Sequence, residues 1–274
     1  MEDPTTDTRS HGAAADGRVA LVQGASRGIG LAIARALLGQ EGYARVFATC
    51  RSPDSAAQLN ALQSSAESLH VLRLDVLDEA SIAASAAEVS RIAGRLDLLI
   101  NCAGVLHEEG RLWPEKRLAD VEPRGITEAF RVNALGPLLV ARAFESVLKS
   151  GPDARFVALS ARVGSIGDNR RGGWYAYRAS KAALNMMIRT LALEWARLPR
   201  PISCFVVHPG TVATDLSLPF RGRLSSTQVF TPQQAAEKLL RTIHALRGGG
   251  YGRLLRIRWK TDTVVTLTTH RRDR

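Results

Sequence analysis

Tyr177 and Lys181 stand four residues apart in the stretch WYAYRASK, residues 174–181. Four residues is about one helical turn, so a helix here sets a phenol and an ammonium on one face. A phenol with its ordinary pKa of about 10 releases its proton too reluctantly for chemistry near neutral pH. An ammonium roughly 4.5 Å away, at an effective dielectric of about 20, favours the phenolate by on the order of 3–4 kcal/mol, or about two to three pKa units. The pair therefore reads as a tuned acid–base group, with an ordinary surface Tyr–Lys pair as the alternative. Tyr175 has no such partner, because Ala179 stands four residues on, and with Trp174 it reads as packing or as pocket lining. Leu184 and Ile188 continue the Tyr177 stripe, which turns that face toward a sheet and any ligand lying over it.

The elements that must hold this pair are legible as a repeating pattern. Apolar, β-branched and leucine-rich runs recur at 18–23, 45–50, 69–74, 96–101, 155–160 and 202–208. Between them apolar residues fall at helical spacing, as in Ile29, Ile33, Ala36 and Leu37, or Leu184, Met187, Ile188 and Leu191. Strands alternating with helices predict right-handed crossovers and an α/β fold, a doubly wound parallel sheet covered on both faces. Such burial explains why the strands are continuous hydrophobic runs. Thr231, Pro232 and Gln234 form a helix start with a capping box, and Asp78 is placed to cap the helix through Ile82 and Val89. The expected organisation is a flexible leader at 1–16, one domain at 17–252, and a last strand with a basic tail at 253–274.

Strand 18–23 runs directly into GASRGIG, in which Gly24, Gly28 and Gly30 frame Ser26, Arg27 and Ile29, and then into a helix. Glycines at the first strand–helix junction let backbone N–H groups approach a pyrophosphate, and the helix N-terminus adds partial positive charge. The competing reading is three glycines that only form the turn.

Composition narrows the rest. The formal charge of +11 invites a nucleic-acid partner, yet the arginines are spread along the chain and the densest group is the tail, so none is expected. No apolar run is long enough to span a membrane, and the leader is acidic and polar where a signal peptide is cationic and then apolar; a cytoplasmic protein is expected. Cys50, Cys102 and Cys204 fit neither a disulfide framework nor a zinc pattern, and no histidine pair has metal-ligand spacing, so no metal is expected.

GASRGIG is followed in order by LDV at 74–76, NCAG at 101–104, NALG at 133–136, a serine after the fifth strand, Tyr177-x-x-x-Lys181 and PGTVAT at 209–214. These motifs resemble those of the short-chain dehydrogenases/reductases, over residues 18 to about 246. The stretch LSARVGSIGDNRRGGWYAYRASKAALN is most similar to the carbonyl-reductase-like branch that includes the C-factor and sniffer proteins. The resemblance implies a single Rossmann-type domain with three α/β/α layers, hydride transfer between a nicotinamide cofactor and a carbonyl or alcohol, and a homodimer or homotetramer. It implies that Tyr177 protonates the carbonyl oxygen, that Lys181 also holds the nicotinamide ribose, and that Asn133 organises a water for proton relay. Asp75 and Val76 are implied at adenine, Asn101, Ala103 and Gly104 beside the cofactor, and Pro209, Gly210, Val212 and Thr214 at the carboxamide. The family's usual polarising serine falls on Ala161, which leaves Ser160, favoured, or Ser165 for that role, or a chain of low activity that binds NADP as a regulatory or signalling protein.

An acidic residue ending the second strand would favour NAD. Cys50 stands there, followed by Arg51, and Arg27 lies in the glycine loop, so NADP(H) is favoured. Asp215 to Phe230, polar and without strong period, is expected to form the substrate lid.

Overall fold

Each hydrophobic run becomes a strand of one sheet. They are β1 (Arg18–Gln23), β2 (Tyr43–Cys50), β3 (Leu69–Arg73), β4 (Leu98–Asn101), β5 (Arg155–Leu159) and β6 (Ser203–His208). Two further strands follow, β7 (Arg253–Arg258) and β8 (Thr263–Leu267). In this computed structural model the described residues are 17–222, 225 and 228–246, with the backbone of 253–258 and 263–267; the expected leader lies outside them.

The strand order is β3-β2-β1-β4-β5-β6-β7-β8. Neighbours pair in parallel from β3 through β7, and β8 runs antiparallel to β7. Chain order therefore reverses between β1 and β4, and the crevice at that switch point opens at the carboxyl ends of the strands. The sequence pattern did not separate β8 from the basic tail.

Helices cover both faces: α1 (Gly28–Leu38), α2 (Ala57–Ser64), α3 (Glu79–Ala93), α4 (Pro123–Phe130), α5 (Gly136–Lys149), α6 (Tyr175–Trp195) and α7 (Pro232–Ala245). On one face Ile33, Leu37, Leu59, Leu239 and Ile243, from α1, α2 and α7, pack on β1, β2 and β4. On the other, Val89, Phe144, Leu184, Ile188 and Trp195, from α3, α5 and α6, bury against the same sheet. Leu184 and Ile188 are fully buried, so the stripe carrying Tyr177 does face the sheet.

Helix starts follow the local chemistry. Asp78 Oδ1 accepts the Ala80 and Ser81 amides at 3.1 and 3.2 Å, and Thr231 with Gln234 completes a capping box. A π-helical turn at Arg131–Leu135 joins α4 to α5 and was not foreseen; Asn133 lies on it.

Candidate active site

The residues singled out from sequence gather at the carboxyl ends of the strands. Gly24 to Gly30 follow β1, Arg51 follows β2, Asp75 and Val76 follow β3, and Asn101 ends β4 ahead of Ala103 and Gly104. Ser160 follows β5, and Pro209 to Thr214 follow β6.

The glycine loop is packed tightly enough to explain its composition. Gly24 has φ +80, and a Cβ there would lie 2.7 Å from the Ala103 amide nitrogen; at Gly30 it would lie 2.1 Å from the Gly24 carbonyl oxygen. The loop also touches the segment after β6, since a Cβ on Gly28 would meet Thr214 Cγ2 at 3.1 Å. Helix α1 starts after Arg27 with no side-chain cap and no acidic residue in its first turn, so side chains leave its leading N–H groups available to an anion. A pyrophosphate fits this cradle. Gly30→Ala is expected to weaken dinucleotide affinity by about 100-fold or more, because backbone must move out of the phosphate-binding geometry. Titration of protein fluorescence with NADPH, alongside a melting curve, separates that loss from unfolding.

Around Tyr177 a second group converges. Lys181 is buried and its Nζ donates to the Leu159 carbonyl oxygen at 2.9 Å. That Nζ lies 5.9 Å from the centroid of the Tyr177 ring, and a Cβ on Gly104 would come within 3.5 Å of it and within 3.2 Å of Asn133 Oδ1. Asn133, fully buried, accepts the Val105 amide at 2.8 Å and donates to the Val105 carbonyl at 2.8 Å and to Ser180 Oγ at 3.1 Å. Its amide thus pins the chain after β4 beside Lys181. The Tyr177 hydroxyl has no hydrogen bond among the described residues, so it is free to meet a substrate.

The electrostatics differ from the two-charge estimate made from spacing. Burial pushes the Tyr177 phenol up to about 12 and the Lys181 ammonium down to about 8. Excluding water penalises the charged form of each group, and that outweighs any acidification of the phenol by its neighbour.

Ser160 is buried at the end of β5. Its hydroxyl donates to Asn185 Oδ1 at 2.8 Å, two helical turns beyond Tyr177, while Asn185 Nδ2 reaches the Gly164 carbonyl at 3.3 Å. Ser165 is half-buried on the turn that ends Arg162–Gly164. Asn101 is 1% exposed, and neither atom of its amide is hydrogen bonded among the described residues. Asp75 uses Oδ1 to accept the Leu77 amide, and Val76 packs beneath Gly136.

His107 and Trp113 in the cleft were not foreseen, whereas Trp174 was expected as packing or pocket lining and Phe220 falls in the expected lid. Trp174 stacks edge-on to Phe220 at 5.0 Å and to Tyr177 at 6.2 Å, and Phe220 in turn meets Trp113 and His107 at 5.6 Å each. Four rings from three separate segments thus form a wall beside Tyr177. Phe220 closes the helical turn Asp215–Phe220, the first part of the expected lid. Asp215 of the same turn pairs with Arg27 at 3.1 Å.

A doubly wound sheet with a glycine cradle at its first crossover, and a Tyr–Lys helix across its switch point, defines the dinucleotide-binding dehydrogenase class. The chain belongs to the short-chain dehydrogenase family: the model described as "short chain dehydrogenase" matches residues 18–223. It is an oxidoreductase of that family. An NADPH-bound carbonyl reductase from chicken fatty liver is 33% identical, with 88% of this chain and 96% of that one covered and a TM-score of 0.78. Carbonyl reductase Sniffer of Drosophila melanogaster is 26% identical at the same coverage, with a TM-score of 0.77. C-signal of Myxococcus xanthus is 40% identical over 126 residues, which is 46% of this chain and 71% of that protein. Among the described residues no helix is long and apolar enough to cross a membrane.

Proposed function

We propose that the protein reduces a carbonyl substrate, or oxidises the matching alcohol, with NADP(H) as hydride carrier and Tyr177 as general acid/base. The observation that carries this reading is a phenol with an unengaged hydroxyl, packed against a buried lysine at the mouth of a glycine-cradled cleft. The dihydronicotinamide, when bound, supplies the hydride. Arg27 and Arg51, with no carboxylate ending β2, favour the 2′-phosphate form, as do the NADP-bound neighbours. In reduction Tyr177 gives its proton to the carbonyl oxygen, and a phenol held near 12 is fully protonated for that task. Lys181 places positive charge where negative charge develops, and Asn133 holds the adjacent loop at Gly104 and Val105 in register.

The test is NADPH oxidation with a panel of nitrobenzaldehyde, acetophenone, cyclohexanone and menadione. Turnover of at least one member is expected. The rate should hold at neutral pH and fall as pH rises through about 8, where Lys181 loses its proton, because the charged form is the working one. A profile flat through that window would remove the lysine charge from the chemistry. NADPH binding without turnover of any member would favour the second reading, a catalytically weak NADP-binding regulatory protein. Ala161 at the usual serine position and the engagement of Ser160 with Asn185 motivate that alternative. A cytoplasmic homodimer or homotetramer is proposed from the resemblance alone, and sedimentation of the purified protein tests the assembly.

A further inference from the structure

We propose that Glu115 is a positioning residue for the catalytic helix: its buried carboxylate closes the N-terminus of α6 and so sets Trp174 and Tyr177. The inference rests on the reading of Tyr177 given above. Glu115 lies on the segment between β4 and α4 and is only 5% exposed. Its two carboxylate oxygens lie 3.3 and 3.2 Å from the Ala176 amide, which donates to them, and its backbone carbonyl accepts the Trp174 amide at 2.5 Å. Among the described residues no cation pairs with it. A buried carboxylate without a counter-cation is strongly disfavoured. Among the described residues its carboxylate has one hydrogen-bond donor, the Ala176 amide, in the first turn of α6 where the helix also carries partial positive charge.

That turn needs an external cap because its own sequence supplies none. Trp174 occupies the N-cap position without a side-chain cap, in the left-handed region at φ +56, where it stands alone among the described non-glycine residues. A bulky residue held there stores strain, and such strain survives only where surrounding structure fixes it. The neighbours do so: Gly172 and Gly173 also have positive φ, and a Cβ on Gly173 would come 3.2 Å from the Glu115 carbonyl oxygen. With its backbone so held, the Trp174 indole sits edge-on to both Phe220 and Tyr177. Ala176, the residue that Glu115 grips, immediately precedes Tyr177 in the same turn. The segment that holds Glu115 also carries His107 and Trp113, so one carboxylate ties the aromatic wall to the general acid.

Glu115→Ala, Glu115→Gln and Tyr177→Phe would be compared in the full chain, using NADPH and the panel member reduced fastest by the parent protein. For Glu115→Ala, kcat is expected to fall about tenfold or more while the NADPH Kd stays within about twofold, since the helix start loosens and the cradle does not. Hydrogen exchange should quicken in the peptide 174–181 and not elsewhere. Glu115→Gln keeps an acceptor oxygen and is expected to recover kcat to within about threefold of the parent. The proposal is overturned if Glu115→Ala leaves kcat and the exchange of 174–181 unchanged. It is equally overturned if both variants lose melting temperature and protection uniformly, which marks a purely structural role. Should Tyr177→Phe retain full turnover, the catalytic reading fails on its own; localised exchange at 174–181 then still decides whether Glu115 holds the helix start.

Discussion

Tyr177→Phe is expected to lower kcat for carbonyl reduction by about 10³-fold while leaving the NADPH Kd within about twofold. The substitution removes a single oxygen that has no hydrogen-bond partner among the described residues, so folding loses nothing beyond a surface-sized effect of about 0.5 kcal/mol. The edge-on contact of the ring with Trp174 at 6.2 Å is available to phenylalanine as well. What disappears is the proton donor at the carbonyl oxygen. Water cannot replace it at comparable rate, because a solvent molecule is not held at the carbonyl oxygen as a hydroxyl fixed on α6 is. Single-turnover reduction with saturating NADPH, compared with fluorescence titration of the same sample, separates chemistry from binding. A loss below about tenfold would assign the proton to another group. Tyr175, exposed and on a different face of α6, is expected to tolerate the same replacement.

Much of this arrangement was legible because parallel strands buried on both faces must be continuous apolar runs, and because glycine and Tyr-x-x-x-Lys spacings are one-dimensional facts. β1, Arg18–Gln23, coincides with its predicted run. β4 begins at Leu98, two residues after the predicted start, and the buried Asp97 just before it accepts the Val19 amide with its carboxylate while its own backbone bonds Val19 and Arg155. Three features escaped for physical reasons. The partner of the Ser160 hydroxyl, Asn185 on α6, lies 25 residues on in the chain, and only tertiary packing brings the two together. Glu115, in WPEK, reads as a solvated charge until α6 arrives 61 residues later to bury it. The acidity of Tyr177 was estimated from its neighbour alone, and desolvation, which depends on the whole cleft, carries the opposite sign.

Replacing both Arg27 and Arg51 by alanine is expected to raise the NADPH Kd by about 100-fold and the NADH Kd by less than about threefold. The two cofactors differ only in the 2′-phosphate, so the ratio of the two affinities isolates whatever holds that group. Both arginines are exposed, one in the loop after β1 and the other directly after β2, on either side of the place where an adenosine ribose lies in this class of fold. Each guanidinium–phosphate contact contributes about 1–1.5 kcal/mol after screening by solvent, and two of them give the expected factor. Arg27 is engaged with Asp215 at 3.1 Å, but the two side chains are 73% and 70% exposed, and an exposed ion pair of this kind is worth about 0–1 kcal/mol. A phosphate dianion displaces such a carboxylate readily. Asp215→Asn is therefore expected to tighten NADPH binding severalfold and to leave NADH unchanged, because the competing charge is gone while Arg27 remains. Equal losses for NADH and NADPH in the double variant would place the arginines on the pyrophosphate that both cofactors share, and the preference would then have to be carried elsewhere in the cleft.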